Sequence, residues 1–274
     1  MRKIKGFFLN SLLWLSAILT VIILGVILIF IFTKGIGVIN FKLLFSNYSS
    51  DGQGGLLPMI ITTLYTVGLS LLVGVPIGIL SAIYLQEYAK QGVIVKFIRF
   101  STEVLAGIPS IIYGLFGSIF FVTILKMGYS ILAASLTLAI IILPVIIRTT
   151  EESLKTVPSF YKEGSLALGA TKFQTLYKVV LPAAMPGILS GVILSIGRII
   201  GESAAILLTA GTAVAIPENI MSSARTLTVH AYLVTKEQGD IGLAAAIGIV
   251  LIVMVLVLNL LSQFIVKRFT KGNY

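Results

Sequence analysis

The stretch ILSGVILSIGRIIGESAAILLTA, Ile188 to Ala210, decides how many times this chain crosses a membrane. A bilayer core takes ~20 apolar residues per helix. The stretch reaches that length only if Arg198 and Glu202, four positions apart, are counted inside the span. Around it lie five charge-free gaps of sufficient length: Lys5 to Lys34, Asp51 to Glu87, Glu103 to Lys126, Lys126 to Arg148 and Asp240 to Lys267.

Composition agrees that the surroundings are lipid. The 274 residues are 57% hydrophobic and only 11% charged, and the mean hydropathy of +1.08 excludes a water-soluble domain. The sequence predicts an all-α membrane protein with six transmembrane helices: Ser11–Phe32, Met59–Leu85, Val104–Leu125, Ile131–Ile147, Ile188–Ala210 and Ile241–Val266. The first follows MRKIK, but its apolar run is too long for a signal-peptide core and no small-residue cleavage site follows, so it reads as a permanent helix.

The net charge of +10 sets topology rather than nucleic-acid binding. With a cytoplasmic N-terminus, 14 Lys and Arg fall on inside segments and 5 outside, with Arg198 in the membrane. By the positive-inside rule both termini are cytoplasmic, which fits an even number of spans in the cell (inner, cytoplasmic) membrane. With no Cys, disulfides and thiolate metal sites are excluded. The single His230, in an outside loop, reads as an exposed or hydrogen-bonded histidine and cannot build a His cluster. No G-x-x-x-x-G-K-[ST] loop occurs, so any ATP is hydrolysed by a partner and the chain carries no cofactor of its own.

The second cytoplasmic loop, Arg148 to Pro182, reads RTTEESLKTVPSFYKEGSLALGATKFQTLYKVVLP. Pro158 and Ser159 start a short helix that Gly169 ends. Thr171 and Gln174 form a T-x-x-Q capping box that starts another. Two short helices meeting at Leu168-Gly169-Ala170 make either a knob for another protein's groove or an amphipathic segment lying on lipid headgroups.

These residues carry a resemblance. Glu163, Gly164, Ser165 and Gly169, then Val179-x-Leu181-Pro182 after nine residues, resemble the EAA loop of ABC importer membrane subunits, E-A-A-x3-G-x9-I-x-L-P. Gly164 and Ser165 replace the alanines and Val179 the isoleucine. LAGIPSIIYGLFG (Leu105–Gly117), LPVIIRTTEESLKTVP (Leu143–Pro158) and GRIIGESAAILLTAG (Gly197–Gly211) resemble the A-type membrane subunits of phosphate-specific importers. The resemblance implies the type I ABC importer transmembrane domain (MetI-like). It also implies a second related membrane subunit, two cytoplasmic P-loop ATPase subunits and an extracytoplasmic phosphate-binding protein. ATPase coupling falls to Glu163, Gly164, Ser165, Leu168, Gly169, Ala170, Leu181 and Pro182. The expected organisation is residues 1–58 as an N-terminal helix and external loop, 59–267 as the transport core with its coupling loop at 148–182, and 268–274 as a cytoplasmic tail.

On a helical wheel, Gly187, Gly191, Ser195, Arg198, Glu202, Ala205 and Thr209 share an arc of about 80°, opposite an apolar face. A mid-span arginine costs roughly 2.5 to 3.5 kcal/mol on insertion scales, so it faces protein or a water-filled path. An i, i+4 pair could simply lock a bundle, yet a buried pair is a poor staple because desolvation consumes the Coulombic gain. The functional reading therefore makes Arg198, Glu202, Ser195 and Thr209 a substrate pathway. Arginine's planar fork suits a tetrahedral oxyanion. Glu202 neutralises Arg198 in the empty path and accepts from a protonated phosphate oxygen, which sulfate at neutral pH lacks.

Pro76, Pro109 and Pro144 are expected to kink spans two to four. Gly74 and Gly78 suit helix packing within the chain. Asp51 and the glycines after it read as an outside turn. The resulting reading is a non-enzymatic permease subunit of an ATP-driven phosphate importer, with phosphate and the lipid bilayer as its contacts and no nucleic acid. The alternatives are the same machine for sulfate, molybdate or tungstate, a secondary transporter, for which no internal repeat is found, and a membrane receptor or scaffold, which would not need a mid-span arginine.

Overall fold

A computed structural model describes residues 2–49 and 54–271, with side chains at 10–49 and 54–264. The turn expected around Asp51, the terminal basic side chains (Arg2, Lys3, Lys5, Lys267, Arg268, Lys271) and the tail end at 272–274 lie outside these residues. The described chain is helical: α1 (Arg2–Gly35), α2 (Phe41–Phe45), α3 (Leu57–Ile83), α4 (Val93–Gly107), α5 (Ser110–Gly117), α6 (Ile131–Lys155), α7 (Ser159–Ala167), α8 (Lys172–Thr175), α9 (Leu181–Gly201), α10 (Ala204–Thr209), α11 (Leu227–Leu233) and α12 (Ile241–Lys271). π-helical turns extend α3 over Tyr84–Tyr88 and α5 over Ser118–Ile124, join α8 to α9 over Leu176–Val180, and follow α11 over Val234–Gln238.

Five helices among the described residues are long and apolar enough to cross a membrane: Asn10–Gly35, Leu57–Tyr88, Ile131–Lys155, Lys172–Gly201 and Ile241–Phe264. A sixth crossing exists if α4 and the helix Ser110–Ile124 count as one span bent by 100°. The kink expected at Pro109 is thus a turn of 100°, and Val104–Leu125 is parts of two helices rather than one. Pro109 brings no N–H to a continuing helix and Ile108 is extended at φ −70°, ψ 132°, so the chain turns there.

The fifth span is corrected as well. Its helix starts at Lys172, runs through the π turn and ends at Gly201; Glu202 is extended at φ −77°, ψ 130°, and α10 restarts at Ala204. The capping box at Thr171 therefore opens a membrane helix rather than an isolated short one. Similarly, Arg148–Lys155 is not loop but the last two turns of α6.

The bundle is built around α6, whose Ile142 and Ile146 are buried between α3 and α9. A Cβ at Gly74 would stand 2.8 Å from Ile142 Cδ1, and one at Gly78 would stand 2.7 Å from Ile146 Cγ2. The G-x-x-x-G pair thus lets α3 lie close on α6 within the chain, as small residues do between membrane helices. Pro76 and Pro144 sit inside α3 and α6 without ending them. A second cluster, with Leu56, Met59, Leu227 and Ile247, joins α3, α11 and α12 at one end. A third, with Leu154, Val157, Leu176, Val180 and Ile188, seats the α6–α9 connection at the other. By contrast α1 packs along α12, and leaves most of its apolar surface exposed for lipid.

Candidate functional site: a broken span and a protruding knob

Within α9 the small residues predicted for a polar stripe face protein. Cβ atoms at Gly187 and Gly191 would collide with Ser153 and Thr149 of α6. Ser195 is 0% exposed and donates to the Gly191 carbonyl at 2.9 Å. Thr209, also 0% exposed, donates to the Ala205 carbonyl on α10 and lies against Gly117. The stripe is a helix-packing seam as far as Ser195, and the break at Glu202 takes Ala205 and Thr209 off the wheel shared with Arg198.

Arg198 and Glu202 do not form an ion pair in this structure. The helix that would set them one turn apart ends between them, and Glu202 turns to the backbone instead. Its Oε1 accepts the Ala205 N–H at 3.2 Å, capping the restart of the chain, while its N–H donates to the Ile199 carbonyl at 3.2 Å. Its own carbonyl accepts the Thr228 hydroxyl of α11 at 2.8 Å. The Glu202 N–H, carboxylate and carbonyl thus each have a partner, as a low-dielectric setting demands.

Arg198, half-buried, has neither a hydrogen bond nor an ion pair to any described residue. Its field reaches the Tyr113 phenol of α5, which donates to the Leu105 carbonyl across the bent span at 2.7 Å. Tyr113 was not singled out from the sequence; a hydroxyl in the middle of LAGIPSIIYGLFG was the available signal.

At the other end, α7 and α8 meet in a protruding knob. Gly169 has φ +87°, a conformation glycine adopts without cost, and the turn closes through Gly169 N–H to Leu166 O at 3.0 Å and Ala170 N–H to Ser165 O at 3.2 Å. The capping box is complete: Gln174 N–H to Thr171 Oγ1 at 3.2 Å and Thr171 N–H to Gln174 Oε1 at 2.9 Å. Ser165 and Thr175 hydroxyls meet at 2.9 Å and brace the two helices. Leu168 at the corner is 91% exposed, flanked by exposed Phe160 and Phe173. Glu163 and Gly164 are exposed, Ala170 is half-buried, and Leu181 and Pro182 are half-buried where α9 begins.

The knob is tied to the bundle by Lys162 Nζ to Glu87 Oε1 at 2.6 Å. Nearby, Arg99 of α4 donates to Glu151 of α6 at 3.1 Å and to Gln91 at 3.1 Å. Arg99 and Glu151 line a cleft of about 110 Å³ with Glu103, Arg148, Glu152 and Lys155. These pairs join residues dozens of positions apart and escaped sequence reading. On the opposite side, His230 is buried rather than exposed, its Nδ1 3.2 Å from Arg225 Nη1 and its ring edge-on to Tyr48 at 5.7 Å.

A bent span, a broken span and a knob between α6 and α9 match a known architecture. The family model for binding-protein-dependent transport system inner membrane components matches residues 74–271. The chain belongs to that family. As a binding-protein-dependent transport system inner membrane component it is a multi-pass transport subunit rather than an enzyme. A Bacillus subtilis (strain 168) protein described as a probable ABC transporter permease, YqgI, is 34% identical over 282 residues, covering 96% of each chain. The Pasteurella multocida (strain Pm70) phosphate transport system permease protein PstA is 39% identical over 210 residues, 76% of this chain and 75% of that protein. Among solved structures, a chain of a bacterial alginate ABC transporter, in complex with an alginate pentasaccharide-bound periplasmic protein, superposes with a TM-score of 0.72 at 19% identity over 97% of this chain and 96% of that one. A chain of the inward-facing MetNI methionine ABC transporter gives a TM-score of 0.54 at 24% identity over 80% and 94%. Both establish the transmembrane fold of ABC importers for this family member.

Proposed function

We propose that the chain is one membrane subunit of an ATP-driven importer of inorganic phosphate. It would work beside a second, related membrane subunit, with two cytoplasmic ATPases at the knobs and an extracytoplasmic phosphate-binding protein on the α11 side. The relatives named for phosphate transport support the substrate class. The observation that carries it is Arg198: a permanent cation, half-buried at the end of a broken membrane helix, with no hydrogen bond or ion pair inside the described chain. Such a group seeks an anion. Glu202 keeps one carboxylate oxygen free of the backbone for a protonated phosphate oxygen, whereas Ser195 and Thr209 serve by holding α9 and α10 in place.

The charge distribution supports cytoplasmic termini and a cytoplasmic knob. The organisation proposed with it has residues 1–58 anchoring, 59–267 carrying the path with coupling at 148–182, and 268–274 as a tail. Uptake of radiolabelled phosphate into vesicles holding the assembled complex tests the reading. Arg198→Leu should assemble and lose uptake, Arg198→Lys should be strongly impaired for want of the planar fork, and sulfate should compete poorly. Uptake by Arg198→Leu at the wild-type rate would remove the anion role, and equal uptake of sulfate would replace phosphate with a broader oxyanion class.

A further inference from the structure

Among the described residues, the end of α9 at the break in the fifth span receives one hydrogen bond from a side chain outside the span. At the end of α9, the Glu202 N–H and side chain bond only within the same segment, to Ile199 O and Ala205 N–H. The Glu202 carbonyl is given to Thr228, 26 residues further on. Thr228 stands on α11, and that helix is itself fastened on several sides. Thr226 Oγ1 lies 3.1 Å from Thr228 Oγ1, and the Leu227 N–H donates to Thr63 of α3 at 3.0 Å. Arg225 bridges the Thr212 carbonyl at 3.2 Å and His230. A chain of hydrogen bonds therefore runs from the loop between the fifth and sixth spans to the residue where α9 stops, one turn beyond Arg198.

A carbonyl at a helix break in lipid leaves its partner only for another donor. With the Thr228 hydroxyl in place, the last turn of α9 has one direction, and with it the backbone from which the Arg198 side chain projects. Without it, the freed carbonyl draws water or reorganises the Gly201–Ser203 turn, and Arg198 loses its fixed aim. We propose that Thr228 is a positioning residue for anion passage: through the Glu202 carbonyl it sets the direction of the end of α9 and hence of Arg198. Movement of α11 would then re-aim Arg198 without any contact between α11 and the anion. The inference rests on Arg198 as the anion's contact.

Two measurements on the assembled complex test it, one independent of the substrate. The chain has no Cys, so a nitroxide placed on Gly201→Cys before assembly with unlabelled partners reports this turn; a Cβ there meets open space. Thr228→Val keeps the shape and removes the donor, and should raise the label's mobility. It should also cut phosphate uptake about tenfold, the scale of one lost hydrogen bond at a semi-buried carbonyl, while ATP hydrolysis stimulated by the binding protein stays near the wild-type rate. Thr228→Ser should restore both mobility and uptake. If Thr228→Val fails to assemble, Thr228→Ala is read in its place against the same outcomes. Unchanged label mobility, undiminished uptake, or failure of Thr228→Ser to rescue overturns the proposal. Absence of phosphate uptake by the unmutated complex would instead overturn the substrate reading, and the mobility result would still decide whether Thr228 positions the end of α9.

Discussion

Lys162 Nζ stands 2.6 Å from Glu87 Oε1, joining the first helix of the knob to the π-helical turn that ends α3. The pair is partly buried, and it is the ion pair among the described residues that links the knob to a neighbouring span. Knob displacement therefore pulls on α3, which lies along α6. Lys162→Met and Glu87→Gln should each weaken the stimulation of transport by ATP more than they weaken assembly. A double-mutant cycle on the melting temperature should return a coupling of about 1 kcal/mol at most. Full coupling of ATP hydrolysis to uptake in either single variant would show that the pair is only a surface contact.

Arg99 and Glu151 make a different kind of pair, because Glu151 is buried while Arg99 is half-exposed. Removing the arginine strands a carboxylate against α4. Arg99→Ala should destabilise the detergent-solubilised protein by roughly 2 to 3 kcal/mol, below the range for a wholly buried pair. Glu151→Gln, which leaves no buried charge, should cost less. Thermal unfolding of both variants checks the order, and equal losses would contradict it.

Gly169 holds φ +87° at the corner of the knob. A β-branched residue there is strained by about 1 to 2 kcal/mol, and no packed neighbour would be disturbed since its Cβ meets open space. Gly169→Val should insert normally but recruit the ATPase poorly, and Gly169→Asn, which tolerates this region, should recover most of the loss. Co-purification of the ATPase with each variant measures this directly.

His230 gives the structure a defined acid limit. Burial first, and then the adjacent Arg225 guanidinium, push its pKa down from 6.5 to about 4. The fold thus prefers the neutral ring, so the contribution is complete above pH 6.5 and is lost as pH falls toward 4. The full loss is about 3 kcal/mol. Melting temperature should fall between about pH 6.5 and 4, and His230→Gln should flatten that part of the profile. A profile unchanged by the substitution would assign the acid sensitivity elsewhere.

What the sequence could disclose was local chemistry. The T-x-x-Q box at Thr171, the glycine corner at Gly169 and the close-approach pair Gly74 and Gly78 each depend on residues within a few positions, and each has the form expected. Hydropathy placed the apolar segments because lipid acts on every residue alike. Pro109 marked where the third span bends, but not that the bend reaches 100°. Gly201-Glu202 carried no such mark, and the carbonyl at that interruption takes a donor from far along the chain, Thr228. The i, i+4 spacing of Arg198 and Glu202 suggested a pair only while one helix was assumed to carry both. Arg99 with Glu151 was hidden for the same reason, being 52 positions apart.

A Cβ at Gly35 would lie 2.6 Å from the Ala245 backbone, so α1 and α12 touch main chain to main chain near one end of the seam. Synthesis reaches the second partner about two hundred residues after the first, a delay of roughly ten to forty seconds at ordinary elongation rates. During that interval α1 lacks its α12 seam, and its apolar circumference suits a lipid surrounding. The docking of α12 on α1 therefore follows synthesis of every span between them, and a bulky side chain at Gly35 would act after those spans have been made.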